Sequence, residues 1–293
     1  MAAAMGYATK FGCIQADGGA VDEQYEFTDL QLRMAEELYE ASGLRGTRSH
    51  VSERVRQNTR GPGFTITLQP NSVELDEWLP RILGGSETLD DFPLAETLPL
   101  FDVNFDLSTA RWYMTDCAVN KATFRSGQGQ PLELTLDVEA LEFSTDATVF
   151  PTLTISTVGP YMFFDSASWL KPAGSALQFM SWQLEIDNQL DTGRFLNSQT
   201  RVSTPARDRI ITWTWDGPYG DNSALFALAA AGVASTAKFV NGNRSLLFVS
   251  NKVSYPREFP QVSDREEIRL PLVGIARKDG STAELVTTND STG

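Results

Sequence analysis

The chain has 293 residues, of which 41% are hydrophobic, 10% aromatic and 21% charged, enough for one large domain or two ordinary ones with cores of their own. That apolar fraction excludes a disordered chain, no apolar run approaches the about 18 residues a membrane helix needs, and residues 1–9 lack the pattern of a secretory signal. The net charge of −14 is unevenly spread: 24 acidic against 11 basic residues in 1–150, and 14 against 13 in 151–293. An acidic chain repels polyanions, which argues against nucleic-acid binding through a basic footprint.

In chain order, the pattern is strand-like almost throughout. Residues 29–34, 64–68 and 101–107 alternate apolar and polar side chains. Between the last two, Asn71-Ser72 can cap a helix with Glu74, Asp76 and Glu77 in its first turns, Leu75, Trp78, Leu79, Ile82 and Leu83 as its apolar stripe, and Gly84-Gly85 as its stop. Pro80 lies inside that pattern. A strand over 117–124 follows, then the turn Gly127-Gln128-Gly129-Gln130 and the clearest strand of all, 132–139. Its period of two puts Leu132, Leu134, Leu136 and Val138 on one face and Glu133, Thr135, Asp137 and Glu139 on the other. Strands with one dry and one wet face suit antiparallel sheets.

The second half repeats this order. Alternating strands at 179–187 and 210–215 lead through Pro218 to a capped helix from Asp221 that stops at Gly232; strands at 245–251 and 267–275 flank a Pro-rich turn. An Arg-containing loop follows the first strand of each set. The pattern is a repeat of about 130 residues without convincing residue identity, read as duplication of one β-rich domain. The expected organisation is a first domain over 1–143, with an N-terminal arm and an Arg-rich loop at 44–62. An aromatic-rich connector over 144–178, expected to fold over a domain or a neighbouring chain, leads to a second domain over 179–278. A flexible Ser/Thr/Asn/Asp-rich tail is expected over 279–293.

Catalytic chemistry finds little support. His50 is the single histidine and sits in a polar loop; Cys117 sits in an amphipathic strand, and with Cys13 it makes neither a disulfide framework nor a four-ligand zinc site. There is no phosphate-cradling glycine loop, and no carboxylate pair stands out from solvated surface. No catalytic residue, cofactor or metal is therefore assigned. Two surface features remain. Arg45, Arg48, Arg54, Arg56 and Arg60 crowd one loop without a lysine among them, which suits bidentate pairing with acidic groups on another subunit. The face Glu133, Thr135, Asp137 and Glu139 would line a negatively charged bore if sheets from several subunits closed into a ring, and phosphates passing through would find no cation to pair with.

Several stretches resemble the tail tube proteins of long-tailed, siphovirus-type bacteriophages. They are Ala41-Ser42-Gly43-Leu44-Arg45-Gly46-Thr47-Arg48 with Gly61-Pro62-Gly63, the helix Glu77-Trp78-Leu79-Pro80-Arg81-Ile82-Leu83-Gly84, the hairpin from Tyr113 to Leu134, and Leu184-Glu185-Ile186-Asp187-Asn188 with Phe195-Leu196-Asn197-Ser198. The resemblance implies a mainly β fold, a β-sandwich of barrel-forming antiparallel sheets with short flanking helices, here duplicated in tandem. It also implies a non-enzymatic virion protein, made in the host cytoplasm and located in the phage tail. Its rings stack into a hollow tube that passes double-stranded DNA without binding it specifically. Six domains usually surround the bore, so a duplicated chain would close a pseudo-hexameric ring as a homotrimer, with a homohexamer as the alternative. Tape measure, terminator and distal tail proteins are the implied neighbours, and no membrane is involved. Competing readings are a neck, tail-terminator or baseplate ring of the same fold, and a carbohydrate-binding β-sandwich in which Trp213 or Trp215 stacks on sugar; a glycoside hydrolase stands third.

Overall fold

The computed structural model describes residues 8–14, 23–40, 55–108, 110–145, 150, 153, 155–166, 169–174, 176–218, 232–256 and 268–292. In chain order the first half holds β1 (Lys10–Ile14), β2 (Glu23–Tyr25), β3 (Asp29–Glu40), β4 (Val55–Leu68), α1 (Ser72–Leu83), β5 (Asp91–Phe92), β6 (Phe101–Asp106), β7 (Arg111–Gly127), β8 (Glu133–Glu139) and β9 (Glu142–Thr145). The second half holds β10 (Lys171–Pro172), β11 (Ser181–Asp187), β12 (Ile210–Pro218), β13 (Val233–Asn241), β14 (Arg244–Ser254), β15 (Arg269–Ala276) and β16 (Val286–Asp290). The fold is mainly antiparallel β, with a single α-helix among the described residues. The expected second helix, 221–231, lies outside them.

Seven strands of each half pair in the same order, while β2, which pairs β1, and β5 have no counterpart among the described residues of the second half. In the first, β1 pairs β6, β6 pairs β7, β7 pairs β8 and β9, β8 pairs β4, and β4 pairs β3. In the second, β10 pairs β13, β13 pairs β14, β14 pairs β15 and β16, β15 pairs β12, and β12 pairs β11. Two strand pairings join the sets. Strand β11 lies antiparallel on β7, with Ser181 opposite Gly127 and Asp187 opposite Lys121, and β5 borders β16.

Each half closes as a sandwich, because strands this regularly half-apolar must bury one face. In the first, Phe64 of β4 meets Phe11 of β1 and Phe105 of β6 at centroid distances of 5.8 and 5.1 Å. In the second, Trp182 of β11 meets Phe239 of β13 at 5.3 Å and Phe248 of β14 at 5.9 Å. Phe124 and Phe248, 4.9 Å apart, carry one apolar core across the junction.

Helix α1 follows its sequence signals closely. Asn71 accepts hydrogen bonds from the Val73 and Glu74 amides at 3.0 and 3.1 Å, and Glu74 accepts from the Asn71 amide at 3.2 Å, closing a capping box. The helix runs through Pro80 to Leu83 and ends on Gly84, whose left-handed φ of 91° a side chain would disfavour. Its apolar stripe, led by fully buried Trp78, seals one end of the first sandwich.

One expectation needs correcting. The segment taken for a tail contains β16, which pairs with both β14 and β5; buried Asn289 donates to the Ser72 carbonyl at 2.7 Å and to Asp76 at 2.6 Å. Polar residues thus sit in a strand because distant polar partners receive them. In the aromatic connector, Phe150 and Tyr161 are buried, Tyr161 against Phe239, as expected of a segment that folds over a domain.

Candidate assembly and lumen surface

The larger sheet of both halves runs β3–β4–β8–β7–β11–β12–β15. One face is the dry side described above; the other carries the residues of interest, because a period of two sends every second side chain there. On β8, Glu133, Thr135 and Asp137 stand half-buried on this second face, as the alternation requires. Each is engaged. Arg125 Nε reaches Glu133 Oε2 at 2.7 Å, and the Thr135 and Thr67 hydroxyls are 3.1 Å apart. Asp137 accepts from Arg33, from Asn120 Nδ2 at 3.1 Å and from the Thr65 hydroxyl at 3.4 Å.

Glu139 departs from the expected solvent-facing position. It has the same parity, but Arg201 from the β11–β12 connection (188–209) covers it; the two side chains form an ion pair with each about a tenth exposed or less. Arg33 Nη2 touches the other carboxylate oxygen at 3.2 Å. Arg201 also donates to the Pro62 carbonyl at 3.3 Å and, through Nε, to the Thr192 carbonyl at 3.0 Å. A charge pair removed from water in this way costs desolvation, which excellent geometry and extra hydrogen bonds offset. The connection is held on the first half by backbone too, since the Arg60 amide donates to the Gln199 carbonyl at 2.9 Å.

Further ion pairs lie on the same face. Lys121 and Glu185 pair at 3.0 Å across the β7–β11 junction, and Arg269 stands 3.7 Å from Asp216 on β15 and β12. The face is therefore cross-linked by ion pairs rather than uniformly acidic. That differs from the reading of β8 alone, because Arg125 comes from the facing strand of the hairpin and Arg33 and Arg201 from segments far away in sequence.

Of the five arginines singled out in the sequence, Arg45, Arg48 and Arg54 lie outside the described residues, as does His50. Arg56 and Arg60 are exposed at the start of β4. Trp213 and Trp215 are fully buried, their indole N–H groups donating to the Ser250 hydroxyl at 2.9 Å and the Tyr255 hydroxyl at 2.7 Å. Neither offers a sugar-stacking surface, which removes the observation behind the carbohydrate reading. Cys13 and Cys117 are both buried and unoxidised; burial pushes the Cys117 thiol well up, the opposite of an activated nucleophile. Among the described residues no His/Cys/Asp/Glu group could hold a metal ion, and no helix is long and apolar enough to cross a membrane.

Two polar clusters escaped the sequence reading. One is Arg201 with Glu139. The other joins α1 to β2: Arg81 Nη2 meets Glu23 Oε2 at 2.7 Å, Arg81 Nη1 meets the Tyr25 hydroxyl at 3.1 Å, and that hydroxyl donates to Glu23. The guanidinium also stacks over Trp78 and Phe101 at 5.1 and 5.2 Å. Beside it, burial, a hydrogen bond to Glu23 and the Glu23 charge push Glu77 up to about 7. The signal for Arg201 was present as an Arg-containing loop after β11; nothing local marked Glu23.

A family model described as phage tail tube protein matches residues 3–285. No curated protein matches the chain.

Proposed function

The chain belongs to the phage tail tube protein family, and we propose that it forms the tail tube of a long-tailed phage as rings of three chains, each chain supplying two tube units. Tail tube membership carries with it a structural role, self-assembly into the tube and a place in the virion tail. The observation that supports the finer reading is the shared pairing order of seven strands in each half, with β11 of the second laid on β7 of the first. Two units of one design, already joined edge to edge in the same sheet, make a third of a six-unit ring. Closing the ring removes the free sheet edges that otherwise invite uncontrolled pairing.

In this reading the polar face of the larger sheet is the wall of the bore, with Glu133, Thr135 and Asp137 on it and Glu139 locked beneath Arg201. A DNA strand in transit needs to avoid sticking. Phosphate binding gains from neutralising contacts with Lys and Arg. On this face Arg33, Lys121, Arg125 and Arg269 each already hold a carboxylate. A phosphate competes with a tethered carboxylate at each of those cations, so the wall resists adhesion without a uniformly negative charge.

Arg201 also suggests a role for the loop arginines. The β3–β4 connection stands in the first half where the β11–β12 connection stands in the second, and it carries Arg45, Arg48 and Arg54. These arginines, with Arg56 and Arg60 beside them, contact the neighbouring copy as Arg201 contacts the adjoining half. Negative-stain microscopy of the purified chain tests the proposal. Striated hollow tubes support it, isolated rings that never lengthen indicate a terminator-like role, and a stable monomer at high concentration contradicts it.

A further inference from the structure

The aromatic residues of the connector divide between the two halves. The smaller sheet of each sandwich, β1–β6–β7–β9 in the first half and β10–β13–β14–β16 in the second, has one face toward the core and one outward. In the first half, Lys10 of β1 and Tyr113 of β7 alternate with buried Phe11 and Met114, which puts them on the outward face. The connector covers that face. Phe150 is 4% exposed and packs on Tyr113 and Leu153, and Lys10 Nζ lies 5.6 Å over its ring.

The second half presents similar chemistry uncovered. Strand β10 holds the place of β1, and its Lys171 stands opposite Thr236, two residues from Lys238 on the outward face of β13. Both ammonium groups lie 4.8 Å from the centroid of the Trp169 ring. Trp169 is nevertheless 38% exposed and Phe164 67%. The apolar surface continues across the sheet through Leu247, opposite Lys238, and Val249, opposite Thr236, to half-exposed Val286. A cleft of about 330 Å³ opens beside Phe164, walled by Phe163, Leu170, Leu177 and Phe179. Asp165, next to Phe164, already accepts the Met162 amide at 2.8 Å.

We infer that this outward face of the second half is a docking surface for a different protein, which lays on it an acidic segment carrying one aromatic or aliphatic anchor. The anchor follows from the first half, where Phe150 beneath Lys10 shows what such a face accepts. The acidic character follows from Lys171 and Lys238, neither of which pairs with a carboxylate among the described residues, in a chain of net charge −14. The choice of a different protein over a second copy rests on the tail tube reading. With the polar face of the larger sheet around the bore, the outward face of the smaller sheet lies on the outside of the tube. An exposed apolar patch rimmed by charge marks an interaction site.

The test titrates fluorescently labelled peptides against the full chain, as monomer and as assembled tubes. The probe Glu-Asp-Phe-Asp-Glu should bind both forms about tenfold or more tightly than Glu-Asp-Ala-Asp-Glu, which lacks the anchor, and Ser-Asn-Phe-Asn-Ser, which lacks the charge. Lys171→Glu combined with Lys238→Glu should abolish the preference for the acidic peptide over the neutral one and leave assembly unchanged. Equal binding of the three peptides overturns the inference and leaves the tail tube reading standing, as does an unchanged preference in the double variant. Binding by the monomer that vanishes in tubes also overturns it, since another copy then covers the face. A chain that binds the acidic probe selectively but never forms tubes removes the tail tube reading and leaves the docking surface in place. Should the double variant fail to fold, Phe164→Ala replaces it, at the most exposed of these aromatic positions, and should weaken the acidic probe about tenfold; unchanged affinity overturns the inference.

Discussion

Strands β11 and β3 carry the same design and meet different fates. Both alternate apolar and polar residues, both sit at the margin of a four-strand unit, and both pair with the strand that follows. Yet Leu184 and Ile186 are sealed from water while Leu32 and Met34 stand in it. The difference lies not in either strand but in where the covering neighbour comes from: for β11 it is earlier in the same chain, and for β3 the chain does not provide it among the described residues. A half-wet strand is stable alone only if its face is finished by something else, which is why an identical pattern can mean core in one place and interface in another.

The comparison breaks most visibly under a buried charge. Leu184→Asp puts a carboxylate opposite Phe124 in a dry site, and should cost more than about 4 kcal/mol in urea unfolding, enough to leave much of the chain unfolded. Leu32→Asp should cost the monomer less than about 1 kcal/mol in the same measurement, since its site is already wet. Equal losses would show that β3 is as finished as β11. Next in size is the clasp between the halves. Arg201→Ala leaves the nearly buried Glu139 with Arg33 as its remaining cation and should cost about 3 kcal/mol. Glu139→Gln added to it should restore part of that loss, and failure to recover would mean that Arg201 acts through packing against Pro62 and Gly61 instead.

A smaller effect sharpens the contrast between the α1 end of the first sandwich and the rest. Glu77 binds its proton more tightly when folded, up to about 7, because burial and Glu23 disfavour its charge. A raised carboxyl pKa means that the folded chain holds more protons than the unfolded one, so the contribution is complete below about 4.5 and lost as pH rises through about 7. Glu23, held down by the Arg81 charge despite its own burial, contributes in the opposite sense and loses its contribution on acidification. The melting temperature should therefore decline from pH 6 to pH 8, and Glu77→Gln should flatten that decline; an unchanged slope would remove Glu77 as its source. Smallest of all, Arg125→Gln breaks a pair whose arginine is 59% exposed. It should change stability by less than about 1 kcal/mol, although it frees the Glu133 carboxylate on the polar face.

How much was legible in the sequence followed the range of the forces involved. The α1 caps and the alternation of β8 as far as Val138 are each written within a few residues, and each corresponds to what the fold displays. Strand β16 was not legible: Val286-Thr287-Thr288-Asn289-Asp290 reads as a polar tail until Ser72 and Asp76, more than 200 residues away, accept hydrogen bonds from Asn289. The faces of Trp213 and Trp215 were legible, but their burial depended on Ser250 and Tyr255. For the polar face, the acids of β8 stood out because they are adjacent in sequence, whereas Arg33, Arg125 and Arg201 reach them from three separate segments. Period predicts a face; only the sheet order says what shares it.

The most direct measurement is a cryo-electron-microscopy reconstruction of the assembled tube at a resolution that separates strands. Three chains per ring, with Glu133, Thr135 and Asp137 facing the bore, is the predicted result. Six chains per ring, or those three side chains turned away from the bore, would contradict it.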